Sequence, residues 1–264
     1  MVSEEAHMSR YAGTSVAAYA VSAMSMICAV GLWYAASHAM NRPDLLPHPE
    51  AIPAVFLEMV RSGELGSALH DSLIRVFVGY FGGTLLGIVT GVLLGRLPAL
   101  NKTIGLLFDF MKGIPPIAIV PLVIIWFGIG ELSKYIVVGY IVWVVVAINT
   151  SVGVREIPLV RLRAGEIFGL HPVFNFLQIV IPSTVPYIIA GTRSAIGFAF
   201  VALVSAELIA ANTGLGQIIM DARFSLQTDK MIVGLLLLGA LGSVIQIGFD
   251  MLVKWLDLSR RYQS

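Results

Sequence analysis

Charged side chains are scarce in this sequence. Asp, Glu, Lys and Arg make up 12% of the 264 residues, whereas apolar residues make up 57%. An average soluble domain carries about twice that charged share, so the composition excludes a soluble protein and indicates a polytopic membrane protein. The net charge of +1 is spread over short clusters between apolar runs. It gives no indication of nucleic acid as a partner.

Residues for covalent or metal chemistry are equally few. The single cysteine, Cys28, cannot form an internal disulfide and lies in an apolar run, as a small core side chain does. None of the five histidines lies well inside an apolar segment, and the sequence has no H-E-x-x-H pattern. It also has no G-x4-G-K-[ST] loop to hold phosphates. We therefore expect no catalytic residue, no metal ligand and no cofactor in this chain.

Six apolar segments approach or exceed the ~20 residues that cross a bilayer. Such segments must be helical, since a lone strand in lipid would leave its backbone polar groups unpaired. The first is longer than the core of a signal peptide and follows Glu4 and Glu5, so we expect it to be retained as a span. The segments are 16–37, 73–95, 105–129, 135–153, 184–211 and 231–253.

The Lys and Arg residues between the spans predict the orientation, because positive residues favour the cytoplasmic side. With the N-terminus inside, nine fall on the inner side and five on the outer side, which favours cytoplasmic N- and C-termini. The inner residues are Arg10, Arg96, Lys102, Arg155, Arg161, Arg163, Lys254, Arg260 and Arg261; the outer ones are Arg42, Arg61, Lys134, Arg223 and Lys230.

Two outer segments contain more than a simple loop. The apolar residues between Ile52 and Val60 have helical spacing and predict a short amphipathic helix at the membrane surface. A turn at residues 212–216 precedes a second short helix over Gln217–Arg223, which would reach the pore mouth or dock a partner. An ordinary connecting loop is the alternative for this second segment.

Glycine and proline mark two of the spans. Gly79, Gly82, Gly83, Gly87, Gly91 and Gly95 predict a small face on the second span that another helix can approach. Pro115, Pro116 and Pro121 predict a kinked third span, either lining a pore or serving only packing.

The inner loop over about residues 155–182 has the signals of two short helices. Pro158 suits the first turn of one helix, and Gly169 suits the left-handed position after its end. Pro172 suits the start of the next helix, and Pro182 is expected to mark its end. The small residues Ala164 and Gly165 would leave room for a partner surface.

The same loop resembles the E-A-A-x3-G-x9-I-x-L-P loop by which ABC importer permeases, the binding-protein-dependent transport family, contact their ATPase. Here it reads Arg163-Ala164-Gly165, then Gly169, then Ile179-Val180-Ile181-Pro182. The first position departs from the family, because Arg163 replaces the acid and the nearest one is Glu166. The resemblance implies a coupling loop that contains Arg163, Ala164, Gly165, Glu166, Gly169, Leu170, His171, Ile179, Ile181 and Pro182.

Further motifs extend the resemblance over about residues 45–255. They are Leu46-Pro47-His48-Pro49, Ser72-Leu73-Ile74-Arg75-Val76, Ile114-Pro115-Pro116-Ile117-Ala118 with Pro121, Trp126 to Lys134 (W-F-G-x-G-x-x-S-K), and Ala206-Glu207-Leu208-Ile209 with Gly214-Leu215-Gly216. These resemble the branch that moves sulfonates, taurine, nitrate, bicarbonate and thiamin precursors. The stretches 205–208 and 214–229 look nearest to sulfonate and taurine permeases.

The resemblance implies an all-α permease of about six transmembrane helices in a type I ABC importer arrangement. Residues 1–69 would form the N-terminal span and a periplasmic amphipathic linker, and residues 70–264 the permease core. A bacterial inner-membrane location, a second copy of the permease and two ATPase subunits that bind ATP and Mg are implied. A periplasmic or lipid-anchored binding protein would dock at Gly214, Leu215 and Gly216.

Charged residues in or beside the spans are the candidates for the translocation pathway, because a charge in lipid is costly. Arg75 or Arg193 would attract an anion, and Glu207 would set a gate or pair with an arginine; structural ion pairs are the alternative. The pathway or gate prediction comprises Arg75, Pro115, Pro116, Arg193 and Glu207. An ion-coupled secondary transporter is a competing class, but such folds show paired broken helices in two related halves, and no internal repeat is evident.

Overall fold

The computed structural model describes residues 21, 23–167 and 171–256, and for Ala164 and Glu166 it describes only the backbone. The predictions that involve residues 1–20, Gly169, Leu170, Arg260 and Arg261 lie outside this description. In the described part every regular element is helical. The helices are α1 (Ala23–Met40), a 3-10 helix (Pro49–Ala51), α2 (Ile52–Arg61), α3 (Glu64–Arg96), α4 (Pro98–Met111), α5 (Pro116–Phe127), α6 (Glu131–Arg155), α7 (Leu159–Ile167), α8 (Pro172–Asn175), a π-helical turn (Phe176–Val180), α9 (Ile181–Ala210), α10 (Leu215–Phe224) and α11 (Thr228–Trp255).

Five of the described helical segments are long and apolar enough to cross a membrane. The pair α4 and α5 brings the number to six if it counts as one span. This agrees with the all-helical fold and the six apolar segments expected from the sequence. The boundary proposed at residues 69 and 70 lies inside α3, which runs unbroken from Glu64 to Arg96.

The third span is not a single kinked helix, as the sequence had suggested. α4 and α5 are separate helices that meet at 102°. Pro115 is extended, with ψ at 139°, because a residue that precedes proline is sterically kept out of the helical region. Pro121 lies inside α5 without ending it. The break therefore comes from the Pro115-Pro116 pair.

A face of glycines on α3 packs directly against α6. A Cβ added at Gly87 would lie 2.7 Å from the Cβ of Val146, and one at Gly79 would lie 2.6 Å from the Cβ of Val138. Gly83, Gly91 and Gly95 face α6 in the same way, whereas Gly82 has no neighbour within 4 Å. The predicted close approach is confirmed for five of the six glycines, and small residues are what let two such helices come this close.

Pro182 does not end a helix, contrary to the prediction. α8, the π-helical turn and α9 follow one another without interruption from Pro172 to Ala210. A π-helical turn is wider than an α-helical one, and this turn ends at Val180, two residues before Pro182, whose missing N–H and ring would disturb an α-helix. The widened turn accommodates the proline and keeps the span continuous.

The two short helices predicted for the outer segments are present as α2 and α10. α2 buries Met59, which is 1% exposed, and packs with Leu65 of α3, Leu215 of α10 and Val233 of α11. α10 follows a bend at residues 212–214 and begins at Leu215, two residues before the predicted start at Gln217. These two helices thus share one small apolar core at the end of the bundle where α3 begins.

Candidate functional site

A buried cluster of charged side chains joins three helices at the end of the bundle that contains α2 and α10. Arg75 lies on α3, Glu131 is the first residue of α6, and Glu207 lies in the last turn of α9. Arg75 and Glu207 are each 1% exposed. Charges this deeply buried are stable only when they are paired and fully hydrogen-bonded.

Arg75 uses every N–H of its guanidinium group. Nε and Nη2 donate to the two carboxylate oxygens of Glu131, at 2.7 and 2.8 Å. Nη1 donates to Oε1 of Glu207 at 2.8 Å and to the carbonyl of Thr213 at 2.5 Å. Nη2 also donates to Oγ1 of Thr213 at 2.9 Å. An arginine has five such donors, so none is left for another ligand in this conformation.

Both carboxylate oxygens of Glu207 also accept hydrogen bonds. Its Oε1 accepts from Arg75 and from Oγ of Ser72, the latter at 2.7 Å. Its Oε2 accepts from the backbone N–H of Gly216 at 2.8 Å. Ser72 Oγ in turn accepts from the backbone N–H of Leu215 at 3.0 Å. The carboxylate therefore fixes the turn before α10 to α3 and α9.

Glu131 connects this buried cluster to the surface. It accepts from Arg75, and it also accepts from Nζ of Lys134 at 2.7 Å. The Lys134 side chain is 5% exposed, whereas that of Glu131 is 49% exposed. A carboxylate in the first turn of a helix is favoured by the helix dipole. Arg75 and Lys134 thus balance Glu131 and Glu207, and the Asp71 carboxylate beside Thr213 adds a further negative charge at the edge of the cluster.

The Gly214-Leu215-Gly216 segment has a structural explanation in this cluster. Gly214 has φ at +122°, and a Cβ there would lie 2.6 Å from Nη1 of Arg75. A Cβ on Gly216 would lie 2.6 Å from the Cβ of Glu207. Leu215 is fully buried. The two glycines are needed because the backbone passes directly over the ion pair.

The opposite end of the bundle presents the predicted coupling loop, which follows α6. The first and last residues of α6, Glu131 and Arg155, are about 36 Å apart along the helix. Gly165 of α7 is buried against this chain, because a Cβ there would lie 2.8 Å from Nδ2 of Asn175 and Cδ1 of Ile179. The room that we expected beside Gly165 for a partner is therefore occupied by α8 and the π-helical turn.

The exposed surface of this loop carries large apolar side chains among charged ones such as Arg161 and Arg163. His171 begins α8, where its Nδ1 accepts from the backbone N–H of Val173 at 3.4 Å. Arg163 is exposed, whereas Ile179, Ile181 and Pro182 are half-buried in the continuous helix. We call the exposed apolar set the loop surface; it consists of Leu159, Val160, Ile167, Val173, Phe174 and Leu177.

Arg193 is separate from the buried cluster. It lies 14 residues before Glu207 on α9, or about 21 Å along the helix. Its Nη2 donates to Oδ2 of Asp250 on α11 at 2.7 Å, and its side chain is 57% exposed. Pro115 and Pro116 form the break between α4 and α5. The structure thus brings Arg75 and Glu207 together and leaves the other three pathway candidates elsewhere.

Sequence reasoning missed four members of the cluster. Ser72 and Glu131 occur in the quoted motifs without a role, Lys134 counts only toward the predicted orientation, and Thr213 lies unremarked in the predicted turn. Charge is the sequence feature that could have indicated these partners. Arg75 and Glu207 each need an oppositely charged partner in a membrane, and Glu131 lies at the start of a span. The motifs around Ser72, Glu131, Glu207 and Gly214 converge on one site.

The chain belongs to a known family of membrane transport proteins. Residues 83–262 match the profile described as "Binding-protein-dependent transport system inner membrane component". The chain is therefore the inner-membrane permease of an ABC transporter and not its ATPase, and it works in a system with an ATPase and a binding protein.

Several relatives are named for the compounds that they move. The taurine transport system permease protein TauC of Escherichia coli (strain K12) is 29% identical, with 84% of this chain and 82% of that protein covered. The putative aliphatic sulfonates transport permease protein SsuC of the same strain is 32% identical, with 88% and 89% covered. The bicarbonate transport system permease protein CmpB of Synechocystis sp. is 34% identical, with 69% and 66% covered.

Solved transporters share the fold. A chain of the MetNI methionine ABC transporter in an inward-facing conformation matches with a TM-score of 0.63 at 21% identity, over 76% of this chain and 97% of that chain. An amino acid ABC transporter with histidines matches with a TM-score of 0.57 at 15% identity, over 76% and 96%. The helices thus have the arrangement of a type I importer permease.

Proposed function

We propose that this permease imports sulfonates such as taurine across the inner membrane. The support is the similarity to TauC and SsuC, which extends over more than four-fifths of the chain. The bicarbonate permease CmpB reaches a similar identity over a shorter stretch, so substrate tests must include bicarbonate. Each of these solutes is small and carries an oxyanion group, so a permissive pore would suffice if the binding protein makes the selection.

The proposed orientation has both termini in the cytoplasm. The excess of Lys and Arg on the side that contains residues 155–182 supports it. The loop surface then faces the cytoplasm, and the buried cluster with α2 and α10 faces the periplasm. In this arrangement two copies of the chain would line one pore, each with an ATPase subunit that binds ATP and Mg.

The loop surface is the single observation that carries the proposed coupling. Val160 and Ile167 are 79% and 83% exposed, on a short helix outside the spans. Large apolar side chains that are exposed on a helix outside the candidate spans favour a contact with another protein. The ATPase would contact these side chains from the cytoplasm. A movement of the ATPase would then reach α8 and α9 through the contacts of Gly165 with Asn175 and Ile179.

The buried cluster is proposed to hold the periplasmic end of the gate in one arrangement. Arg75 has no free donor in this conformation, so it is proposed as a positioning residue and not as an anion site. Arg193 has an exposed side chain paired with only one acid and remains the better candidate for contact with an anion. Gly214 and Gly216 would place α10, whose exposed end at Phe224 and Leu226 would meet the binding protein.

The first test is ATP hydrolysis by the permease–ATPase complex in lipid nanodiscs, mixed with its binding protein. Taurine, an alkyl sulfonate, nitrate and bicarbonate are added in turn. Stimulation by taurine or the alkyl sulfonate alone is expected. Stimulation by bicarbonate alone would overturn the sulfonate assignment and leave the permease assignment intact.

The coupling role is tested at one position. Val160→Asp places a charge on the loop surface and is expected to remove most copurified ATPase, whereas the matched variant Val160→Leu should keep it. If both variants copurified with equal amounts of ATPase, α7 would not be part of the contact with the ATPase.

A further inference from the structure

Two histidines and one glutamate converge where α1 meets the segment that leads into α2. His38 lies in the last turn of α1, His48 comes directly before the 3-10 helix, and Glu50 lies within that helix. One possible ligand atom from each lies within 4.8 Å of the others. Nε2 of His38 and Oε1 of Glu50 are 3.3 Å apart. This group is independent of the buried cluster and of the proposed function.

The hydrogen bonds of both rings determine which nitrogen carries the proton. Nδ1 of His38 lies 3.0 Å from the carbonyl of Tyr34, which can only accept, so this nitrogen is the donor. Ser37 Oγ already donates to the carbonyl of Tyr34 at 3.0 Å. The Ser37 hydroxyl therefore accepts a hydrogen bond from Nδ1–H of His48, at 3.2 Å. In the neutral form both imidazoles keep a lone pair on Nε2.

Two acceptors then face each other. Nε2 of neutral His38 and the carboxylate of Glu50 repel at 3.3 Å unless a cation lies between them, and a proton or a metal ion would serve. Two ligands bound to one zinc ion at ~2.0–2.1 Å in tetrahedral geometry are themselves about 3.3–3.4 Å apart. The observed spacing matches that value, and a zinc ion, unlike a proton shared by His38 and Glu50, could also engage His48, whose ring lies 4.2 Å from that of His38 between centroids.

We propose that His38, His48 and Glu50 bind a zinc ion. Two imidazoles and one carboxylate are a known zinc ligand set, with a fourth position for water. Ser37 and the Tyr34 carbonyl orient the rings through Nδ1, as outer partners of metal-bound histidines do. The His38 and Glu50 side chains are about half exposed, so an ion can enter from solvent. The sequence had indicated no metal site, because the ligands lie on either side of a turn.

The ion would fasten the first span to the rest of the protein. Only 6% of the apolar window of α1 is buried, so this helix has few packing contacts of its own. Nε1 of Trp33 donates to the carbonyl of Pro47 at 3.1 Å and ties α1 to the same segment. Zinc would add a second, stronger tie at the end of α1.

The test is metal binding by the permease–ATPase complex in nanodiscs, purified with a tag that contains no histidine and stripped with a chelator. Zinc per complex is measured by mass spectrometry after dialysis, and cobalt is added separately to obtain its visible absorption bands. Wild type is expected to retain one more zinc per permease chain than His48→Ala or His38→Ala. Ser37→Ala should keep the site but weaken zinc affinity about tenfold.

His70→Ala is the matched control, since this exposed histidine lies beside Asp71 and outside the group. It should bind zinc and cobalt as wild type does. Recovery of the ATPase with each variant shows that the permease has folded. Equal zinc content in wild type and His48→Ala would overturn the proposal. The proposal would also be overturned if the folded wild-type protein bound no zinc, since the site would then hold only a proton.

Discussion

Arg75 and Glu207 are 132 residues apart in the sequence, and a 2.8 Å hydrogen bond joins Nη1 of the first to Oε1 of the second. Both side chains are at most 1% exposed. Neither could be retained at this depth without the other. The ion pair, together with Ser72 and the backbone of Gly216, holds α3, α9 and the start of α10 in one arrangement.

Replacement of Arg75 by alanine should strongly destabilise the permease, because it leaves the Glu207 carboxylate buried without a cation. Removal of one partner from a buried pair costs roughly 3–5 kcal/mol. Arg75→Lys keeps the charge but offers three donors in place of five, so it should fall between alanine and wild type. Thermal unfolding in nanodiscs measures the difference. An unchanged midpoint for Arg75→Ala would show that the pair contributes nothing to stability.

Gly214→Ala should also destabilise the protein, through backbone strain and a clash with the ion pair. A non-glycine residue at φ +122° costs about 1–3 kcal/mol, before the Cβ displaces Nη1 of Arg75. The control is Gly197→Ala in α9, where nothing lies within 4 Å and alanine should be neutral or stabilising. The unfolding midpoints of the two variants should move in opposite directions or differ clearly. Equal midpoints would contradict the account of this turn.

The packing of α3 on α6 makes a paired prediction on one helix. Gly87→Ala places a methyl group 2.7 Å from the Cβ of Val146, and such overpacking costs about 1–3 kcal/mol. Gly82→Ala adds the same group in open space. Only the first should lower the unfolding midpoint. If Gly82→Ala were equally harmful, the close approach of the two helices would not be the reason.

Gly165→Leu tests the link between α7 and the long helix that follows it. The larger side chain would displace Asn175 and Ile179 and move α7 away from them. If α7 transmits the movement of the ATPase as proposed, the binding protein should stimulate ATP hydrolysis less in this variant. The unfolding midpoint of the membrane helices should change little. A bulky residue with normal stimulation would show that α7 does not transmit the motion.

The sequence predicted the spans well where composition alone decides them and less well elsewhere. The predicted start at residue 73 missed the first nine residues of α3, because polar side chains such as His70 and Asp71 interrupt the apolar pattern. Pro182 was expected to stop a helix, and only the π-helical turn before it explains why it does not.

The candidate site shows the same limit. Arg75 and Glu207 were recognised as costly charges, and one of the readings left open was that Glu207 pairs with an arginine. That pairing depends on how α3, α6 and α9 pack, which no local pattern encodes. The contacts of Glu131 and Lys134 with this pair could not be predicted for the same reason. His38 and His48 lie outside the predicted spans and form no motif, and their convergence depends on a chain reversal after α1 that no local pattern indicates.

The balance of charge in the buried cluster has a consequence for an anion that approaches from outside. Arg75 and Lys134 are matched by Glu131 and Glu207, all within a few hydrogen bonds of one another. Beyond a distance of about 10 Å the potentials of such a balanced group largely cancel. In the orientation proposed above, this cluster would therefore offer little attraction to an anion at the periplasmic end of the permease, and selection among solutes would fall to the binding protein.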